Sequence, residues 1–431
     1  MKKWSAFIYK FELNDKMVMF CTNSRAIVTL EVGLYNEISR FMSNSENNLQ
    51  YSKEISQLEE MRFIVDAEVR EFENLFNAIM KIRESNDYLS ITFMPTTDCN
   101  FACKYCFEKG IDTTFYINDE VITAFLSFLQ YYIDNCNSIK KLRIELFGGE
   151  PTLSWEHVVS TLHRVKSFCV SREILMFTSI ITNGYLFNEE KIKDLLPFNF
   201  DMIQITFDGY REYHDNCRHT KMHAPTFDVL IGNIQVLMKL TDKLKLSIRI
   251  NCYDDNIESI HKLIDYVYKQ IGTNRVTLSF SPIFEPDISL SSEKELLDNY
   301  TPRQKELNKI AVNYGFGVIN LTYLNAYCSV KINDSFIIHP NGDIYQCNFF
   351  VGREKFKLGS VFENKPFKYL FDINLYNYCI KRECCFLPLC HAGCVRKSFV
   401  AFGDINKLYC LRQEMEEINK RYVMTKLGLI E

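Results

Sequence analysis

The spacing of apolar positions changes character along the chain. Between about residues 88 and 283, short runs rich in β-branched and aromatic residues alternate with longer segments of helical period. The short runs are Leu89–Met94, Leu142–Phe147, Ile174–Ile181, Met202–Phe207, Leu244–Asn251 and Val276–Ser281. Helical periodicity predicts helices over Asp119–Tyr132, His157–Cys169, Phe227–Leu240 and Ile257–Gln270. Strand–helix alternation implies parallel strands joined by right-handed crossovers. Six such units predict an α/β fold, an open and partial (β/α)6 barrel. Function in such barrels sits at the carboxyl ends of the strands.

The flanks follow other patterns. Residues 1–85 predict strands at Trp4–Glu12, Met17–Thr22 and Ala26–Leu30, broken at Asn14-Asp15 and Asn23-Ser24, and helices at Tyr35–Ser43 and Glu71–Glu84. That is a small α+β unit of winged-helix type, suited to docking a partner along a sheet edge or groove. Residues 286–327 form a bridging region. Residues 328–431 form a cysteine-rich tail. The expected domains are therefore 1–85, 86–285, 286–327 and 328–431.

Composition narrows the function. The chain has 431 residues, 47% hydrophobic and 24% charged, an ordinary globular balance. A net charge of −4 gives no sign of a nucleic-acid or anionic-membrane binder. Lys2 and Lys3 are followed by too short an uncharged run for a secretory core. The longest uncharged run, Ile310 to Val330, is interrupted by Asn313, Asn320 and Asn325, so no membrane span is expected. A cytoplasmic location follows as an expectation. Of the 16 cysteines, eight fall between Cys328 and Cys410, and Cys99, Cys103 and Cys106 form a second group. Clustered thiols in such a chain read as metal or iron–sulfur ligands before disulfides.

The first predicted strand runs into PTTDCNFACKYCFEKG, where Cys99, Cys103 and Cys106 have the spacing C-x3-C-x2-C. Three thiolates can hold three irons of a 4Fe–4S cube and leave the fourth open to a small molecule. Zinc usually takes four protein ligands in C-x2-C pairs. The loop, with Tyr105 before its last cysteine, resembles the signature of the radical S-adenosylmethionine (AdoMet) superfamily. That resemblance implies a TIM-like barrel, AdoMet bound at the open iron, and a 5′-deoxyadenosyl radical that abstracts hydrogen from substrate. Later motifs match in order. FGGEPTL supplies Gly148, Gly149, Glu150 and Pro151, with the glycines permitting close backbone approach and Glu150 implied to hold the methionyl amine. ITNGYLF supplies Thr182, Asn183 and Gly184. QITFDGYREYHDNCR supplies Gln204, Thr206 and Asp208 on one strand face, with His214, Asp215 and Arg218 beyond; the resemblance places this stretch around the ribose and carboxylate.

The tail resembles the SPASM extension, which binds auxiliary 4Fe–4S clusters. Cys328, the Gly342-to-Cys347 element, Cys384, Cys390, Cys394 and Cys410 fit its pattern, but Lys381 stands where a cysteine belongs. The resemblance implies one cluster on Cys384, Cys390, Cys410 and either Cys379 or Cys385. It implies another on Cys328, Cys347 and Cys394, with no obvious fourth ligand; either an iron is open to a substrate thiolate, or Cys379 or a non-cysteine residue completes the set. In total, AdoMet and three 4Fe–4S clusters are implied. Cys21, Cys136, Cys169 and Cys252 read as packing residues, as does Cys217 despite its place near the fourth strand.

Enzymes with this tail mostly modify peptides. The stretch YQCNFFVGREKFKLGSV resembles anaerobic sulfatase maturases, whose base is an aspartate where this chain has Asn348; an amide is no base near neutral pH. The N-terminal unit instead resembles the recognition element by which maturases of ribosomally made peptides (RiPPs) capture a leader peptide. The expected function is a radical SAM peptide maturase that installs a crosslink, a cysteine thioether first. Sulfatase-type formylglycine formation, carbon–carbon crosslinking and epimerisation are the alternatives. A low-potential flavodoxin or ferredoxin is the implied electron donor. Glu108, Asp208 and Glu285 are carboxylates near strand ends, and none is assigned as the base.

Overall fold

The structure is a computed structural model that describes residues 1–43, 51–84, 87–106, 114–136, 139–283, 289–318, 328–363, 365, 367 and 369–429. Glu108 and Glu285 lie outside the described residues. The chain divides into two units, Met1–Arg83 with Phe371–Glu431, and Glu84–Tyr323 with Cys328–Leu370.

The first unit begins with β1 (Lys2–Trp4), β2 (Ile8–Leu13), β3 (Lys16–Cys21), β4 (Ile27–Glu31), α1 (Val32–Ser43), α2 (Ser52–Glu60), β5 (Ile64–Asp66) and α3 (Glu71–Arg83). Strands β2, β3 and β4 form an antiparallel sheet in that order, and β1 pairs with β5. Asn14 and Asp15 both take positive φ, 49° and 59°, which makes the two-residue hairpin turn whose twist matches its strands. The expected single strand from Trp4 to Glu12 is broken. The Ser5 hydroxyl and the Ala6 N–H both donate to the Glu71 carboxylate, at 2.5 and 2.8 Å, which removes the Ala6 N–H from strand pairing.

The second unit is built on one sheet of ten strands. Its parallel centre consists of β6 (Tyr88–Phe93), β7 (Lys141–Leu146), β8 (Leu175–Thr182), β9 (Phe200–Phe207), β10 (Lys245–Cys252) and β11 (Val276–Pro282). The crossover helices include α4 (Asp119–Asn135), α5 (Trp155–Ser171), α6 (Glu189–Leu195), α7 (Arg211–Cys217), α8 (Phe227–Leu240) and α9 (Ile257–Gln270). These are the six expected units. Alternate residues of each strand, such as Leu89, Ile91 and Phe93 or Ile203, Ile205 and Phe207, enter one core with Phe125, Leu162, Leu230 and Leu263 of the helices. The opposite face is polar: Gln204 and Thr206 stand in register with Ser247 and Arg249.

After α10 (Leu290–Asn313) the sheet grows at both edges. Strand β12 (Gly317–Val318) joins β11, while β13 (Ser335–Ile338), β14 (Asp343–Tyr345) and β15 (Gly359–Ser360) extend from β6. Residues 328–370, which the cysteine pattern groups with the tail, thus belong to the barrel unit. The reason lies in SFIIHPNGDIY, an apolar strand, a Pro-Asn-Gly turn and a second strand, whose first half pairs parallel with β6. The rest of the tail, α11 (Leu375–Lys381), α12 (Leu387–Cys390), α13 (Val395–Phe402) and α14 (Arg412–Lys426), returns to the first unit. There Val18 and Phe20 of β3 pack with Val423 of α14, while Met17, Met19 and Cys21 face Ile38 of α1 and Leu58 of α2.

Asp334 tethers the added edge. Its carbonyl accepts from the Ser90 N–H at 2.9 Å, and its carboxylate accepts from the Tyr132 hydroxyl of α4 at 2.6 Å. Burial raises this carboxyl to about 6. A carboxyl raised in the folded state makes folding take up a proton, so its ionisation costs stability as pH climbs from about 4 to about 6. Asp334→Asn keeps an acceptor for Tyr132 without the charge. The variant is expected to gain roughly 2 kcal/mol over wild type at pH 7.5, and the gain is expected to shrink toward pH 4.5. Urea midpoints across that range check it.

Candidate functional site

The cysteine loop leaves the end of β6 and is fastened on both sides. The Thr97 and Phe115 backbones bond at 3.0 Å, and the Ala102 N–H reaches the His219 carbonyl at 3.0 Å. Asp98 acts as a knot, accepting from the Cys99 N–H, the Lys221 ammonium and the Tyr116 hydroxyl at 2.8, 2.6 and 2.6 Å. Cys103 is buried, and Cys99 and Cys106 are half-buried. Burial, reinforced by the nearby Glu150 charge, pushes the Cys99 thiol up to about 12. No disulfide engages any of the 16 cysteines.

The glycine pair after β7 lies flush on this loop. A Cβ at Gly148 would stand 2.5 Å from the Thr96 carbonyl oxygen, and one at Gly149 only 2.0 Å from that of Asp98. Gly148 also holds φ at 130°. The close approach expected toward a ligand is therefore an approach to the cysteine loop itself. The Gly149 and Glu150 N–H groups donate to Thr96 and Asp98 at 3.1 and 2.7 Å.

Glu150 caps the short turn begun by Pro151, and its carboxylate is fully buried. It accepts from the Thr152 N–H (3.1 Å) and hydroxyl (2.6 Å), the Thr182 hydroxyl (2.7 Å) and the Asn183 N–H (2.7 Å). Burial raises its pKa, and these donors oppose the shift. The carboxylate thus ties the end of β8 to the turn after β7. Asn183 carries the link onward, its amide donating to Asn100 at 2.8 Å and to the Cys99 sulfur at 3.6 Å. Gly184, at φ 80°, turns the chain, and its carbonyl accepts from Asn233 at 2.8 Å.

A second cluster forms where β9 and β10 end. The Tyr105 hydroxyl donates to the Asp208 carboxylate at 2.8 Å and accepts from Arg218 at 2.6 Å. Asn251 donates to both Tyr105 and Asp208, at 2.8 and 2.9 Å. Among the described residues, the far carboxylate oxygen of Asp208 and Nε of Arg218 are buried with no hydrogen-bond partner. Burial raises the Asp208 pKa against the pull of Arg218, and burial holds His214 well below its usual range. The neutral His214 ring accepts from the Asp208 N–H at 3.4 Å and reaches the Thr226 hydroxyl at 3.1 Å. Asp215 accepts from the Thr226 and Phe227 N–H groups at 2.7 and 2.8 Å, which caps α8. Both residues brace the scaffold.

Of the predicted residues, the structure joins Cys99 and Gly148 to Gly184 in one bonded network, and Tyr105, Asp208 and Arg218 in another. Gln204 and Thr206 lie lower on the same face of β9, half-buried and outside the hydrogen-bonded cluster. Sequence reasoning missed Asn251. Its signal was the alternation of Ser247, Arg249 and Asn251 with buried Ile248 and Ile250 along β10.

Glu150→Gln tests the knot. An amide offers one acceptor oxygen and leaves a donor facing a donor. A loss of about 2 kcal/mol is expected in the apo protein, read from the urea midpoint.

Known proteins share this fold. The pattern of the Radical SAM superfamily matches residues 93–271. A cysteine-type anaerobic sulfatase-maturating enzyme of Clostridium novyi is 25% identical over 364 residues, covering 75% of this chain and 92% of its own. The radical SAM cyclopropyl synthase TigE of Paramaledivibacter caminithermalis is 22% identical, covering 77% and 71%. Among solved structures, native anSMEcpe with bound AdoMet and Cp18Cys peptide aligns with a TM-score of 0.57 at 19% identity, over 80% of this chain and all of that one. Streptococcus suis SuiB aligns with a TM-score of 0.50 at 14% identity, over 95% and 99%. Both share its fold. No helix among the described residues is long and apolar enough to cross a membrane. Residues 93–271 are a radical SAM domain, and the chain is an enzyme of the radical SAM superfamily, whose members use AdoMet and a 4Fe–4S cluster.

Proposed function

We propose that this enzyme is a peptide maturase that forms a thioether between a cysteine sulfur and a carbon of a ribosomally made precursor peptide. Cys99, Cys103 and Cys106 would hold the AdoMet-binding cube. When bound, the cube and AdoMet supply a hydrogen-abstracting carbon radical. The unspent Asp208 oxygen and Arg218 Nε support a polar ligand there, since each costs about 1–3 kcal/mol if left unpaired. They suit the hydroxyls and carboxylate of AdoMet. Asn251 and Tyr105 would hold both groups in place. Asn251→Leu is expected to weaken AdoMet binding about tenfold, or about 1.4 kcal/mol, measured on anaerobically reconstituted protein.

The observation that carries the peptide reading is the antiparallel sheet β2-β3-β4, a separate element outside the radical SAM domain that ends in the edge strand β4. Such an edge accepts an extended leader by strand addition. The relatives agree in class, since sulfatase-maturating enzymes act on another protein and anSMEcpe binds a peptide. Two auxiliary clusters, for three in all, and reduction by flavodoxin or ferredoxin complete the reading.

The balance closes without an added oxidant. A peptide C–H bond and a thiol S–H bond are lost, one C–S bond forms, and the sulfonium C–S bond of AdoMet is the one reduced. Carbon–carbon bond formation is the second reading, favoured by the likeness to TigE. Incubation with a cysteine-containing precursor, followed by mass measurement and thiol alkylation, separates the cases. A product lighter by two hydrogens with one fewer alkylatable thiol is expected. The same mass with all thiols intact is carbon–carbon coupling. An aldehyde in place of a thiol is sulfatase-type chemistry, and unchanged mass excludes any crosslink.

A further inference from the structure

The tail helices gather cysteines around a small recess. Cys379, Cys384, Cys390 and Cys410 are among the residues that line it, and Cys385 is not. We propose that Cys379 is the fourth ligand of a cluster held with Cys384, Cys390 and Cys410, replacing the cysteine absent at Lys381, and that Cys385 is no ligand. This rests on the reading of the tail as an auxiliary-cluster site.

The helix explains the displacement. Residues 379 and 381 are about 200° apart around an α-helix. Tyr376 and Cys379 lie on the buried face of α11, while Tyr378 and Lys381 lie on the exposed one. A thiol at 381 would point to solvent as long as α11 runs that far. The helix then closes with a Schellman cap. The Cys384 N–H donates to the Cys379 carbonyl at 3.1 Å, the Glu383 N–H donates to that of Ile380 at 3.0 Å, and Glu383 takes φ 47°. Left-handed backbone is disfavoured at a residue other than glycine. What it achieves is direct, since the 6→1 bond fixes Cys384 beside Cys379. A C-x4-C pair closed by a cap replaces the C-x2-C pair.

The segments that carry the other two cysteines pack against each other, with Cys410 exposed. His391, Ala392 and Gly393 all have positive φ, 50°, 59° and 79°. A Cβ at Gly393 would stand 2.8 Å from the Tyr409 carbonyl, so this loop lies flush against the segment leading to Cys410. The Gly393 N–H donates to the Cys390 sulfur at 3.3 Å, a bond of the kind that tunes cluster thiolates. Phe386 and Leu387 wall the recess, and Arg412 adds a cation beside the thiols. Cys385 does not line the recess, although its half-buried thiol lies near Cys384 and Arg412; its carbonyl accepts from the Thr22 hydroxyl of the N-terminal segment, and the next residue, Phe386, packs on Tyr9 with ring centroids 5.2 Å apart.

The test compares Cys379→Ala, Cys379→Ser and Cys385→Ala in the full chain after anaerobic reconstitution, reading iron, acid-labile sulfide and the EPR spectrum of the reduced protein. Wild type is expected to hold about twelve irons. Cys379→Ala is expected to lose about four of them, and Cys385→Ala none. Cys379→Ser, which retains an oxygen donor and guards against misfolding of the alanine variant, is expected to keep iron but shift one cluster's EPR signal. Full iron and an unchanged spectrum in both Cys379 variants would overturn the assignment, as would loss of four irons in Cys385→Ala. Wild type with only about four irons would sink the auxiliary-cluster reading itself, whatever the peptide product.

Discussion

Four hydrogen-bond donors converge on one buried carboxylate, and the geometry of the cysteine loop depends on it. Glu150 holds the turn after β7 to the end of β8, and the neighbouring glycines lie on the loop that leaves β6. Three successive strand ends become one rigid body. Parallel strands alone would not achieve this, because their connections are long and their loops leave the sheet independently. A buried carboxylate with its oxygens satisfied by the protein is stable only because every donor is in place; a missing one would leave a desolvated charge. Burial, with the Glu150 charge added by the same arrangement, makes the Cys99 thiol reluctant to ionise. A cation such as iron reverses that balance, because a coordinated thiol gives up its proton.

The sheet uses its two faces differently. The face against the helices is a continuous apolar core. The other carries Gln204, Thr206, Ser247, Arg249 and Asn251, which a packed barrel would fill with branched aliphatics. The polar face culminates in the Tyr105–Asp208–Asn251–Arg218 cluster, whose two unspent atoms are a cost in the folded chain alone. Stability is given up there where a polar ligand can recover it.

The six parallel strands and their helices were legible because each is an apolar run of the right length between turn residues, and Phe227–Leu240 and Ile257–Gln270 fall where periodicity places them. The cysteine loop and its partner motifs were legible as chemistry. Their mutual geometry was not: nothing in FGGE says that the glycines face the chain and not a ligand, since that depends on a carbonyl 50 residues away in sequence. Asn251 was passed over because one polar residue ending an apolar strand looks like a boundary. The tail was legible in its cysteines and misleading in its extent. Cysteine spacing is blind to pairing partners, so the hairpin at residues 335–345 read as tail while its backbone completes the barrel sheet.

The first unit sets a constraint on how a peptide can dock. Strand β3 is buried on both faces, by α1 and α2 on one side and by α14 on the other. The Phe20 ring meets Tyr422 edge-on at 5.6 Å, and Lys420 lies over Phe11. The faces of the small sheet are therefore spent on packing, so the proposed strand addition would have to use an edge, where main-chain groups remain to be paired. Strand β4 ends the sheet with Val28 and Leu30 turned toward the helices, so an added strand there would extend the core as well as the ladder. The same unit contains the cysteine-lined recess, and the two meet through Phe386, which walls the recess and packs on Tyr9 of β2, so a substitution at Phe386 disturbs the sheet and the recess together.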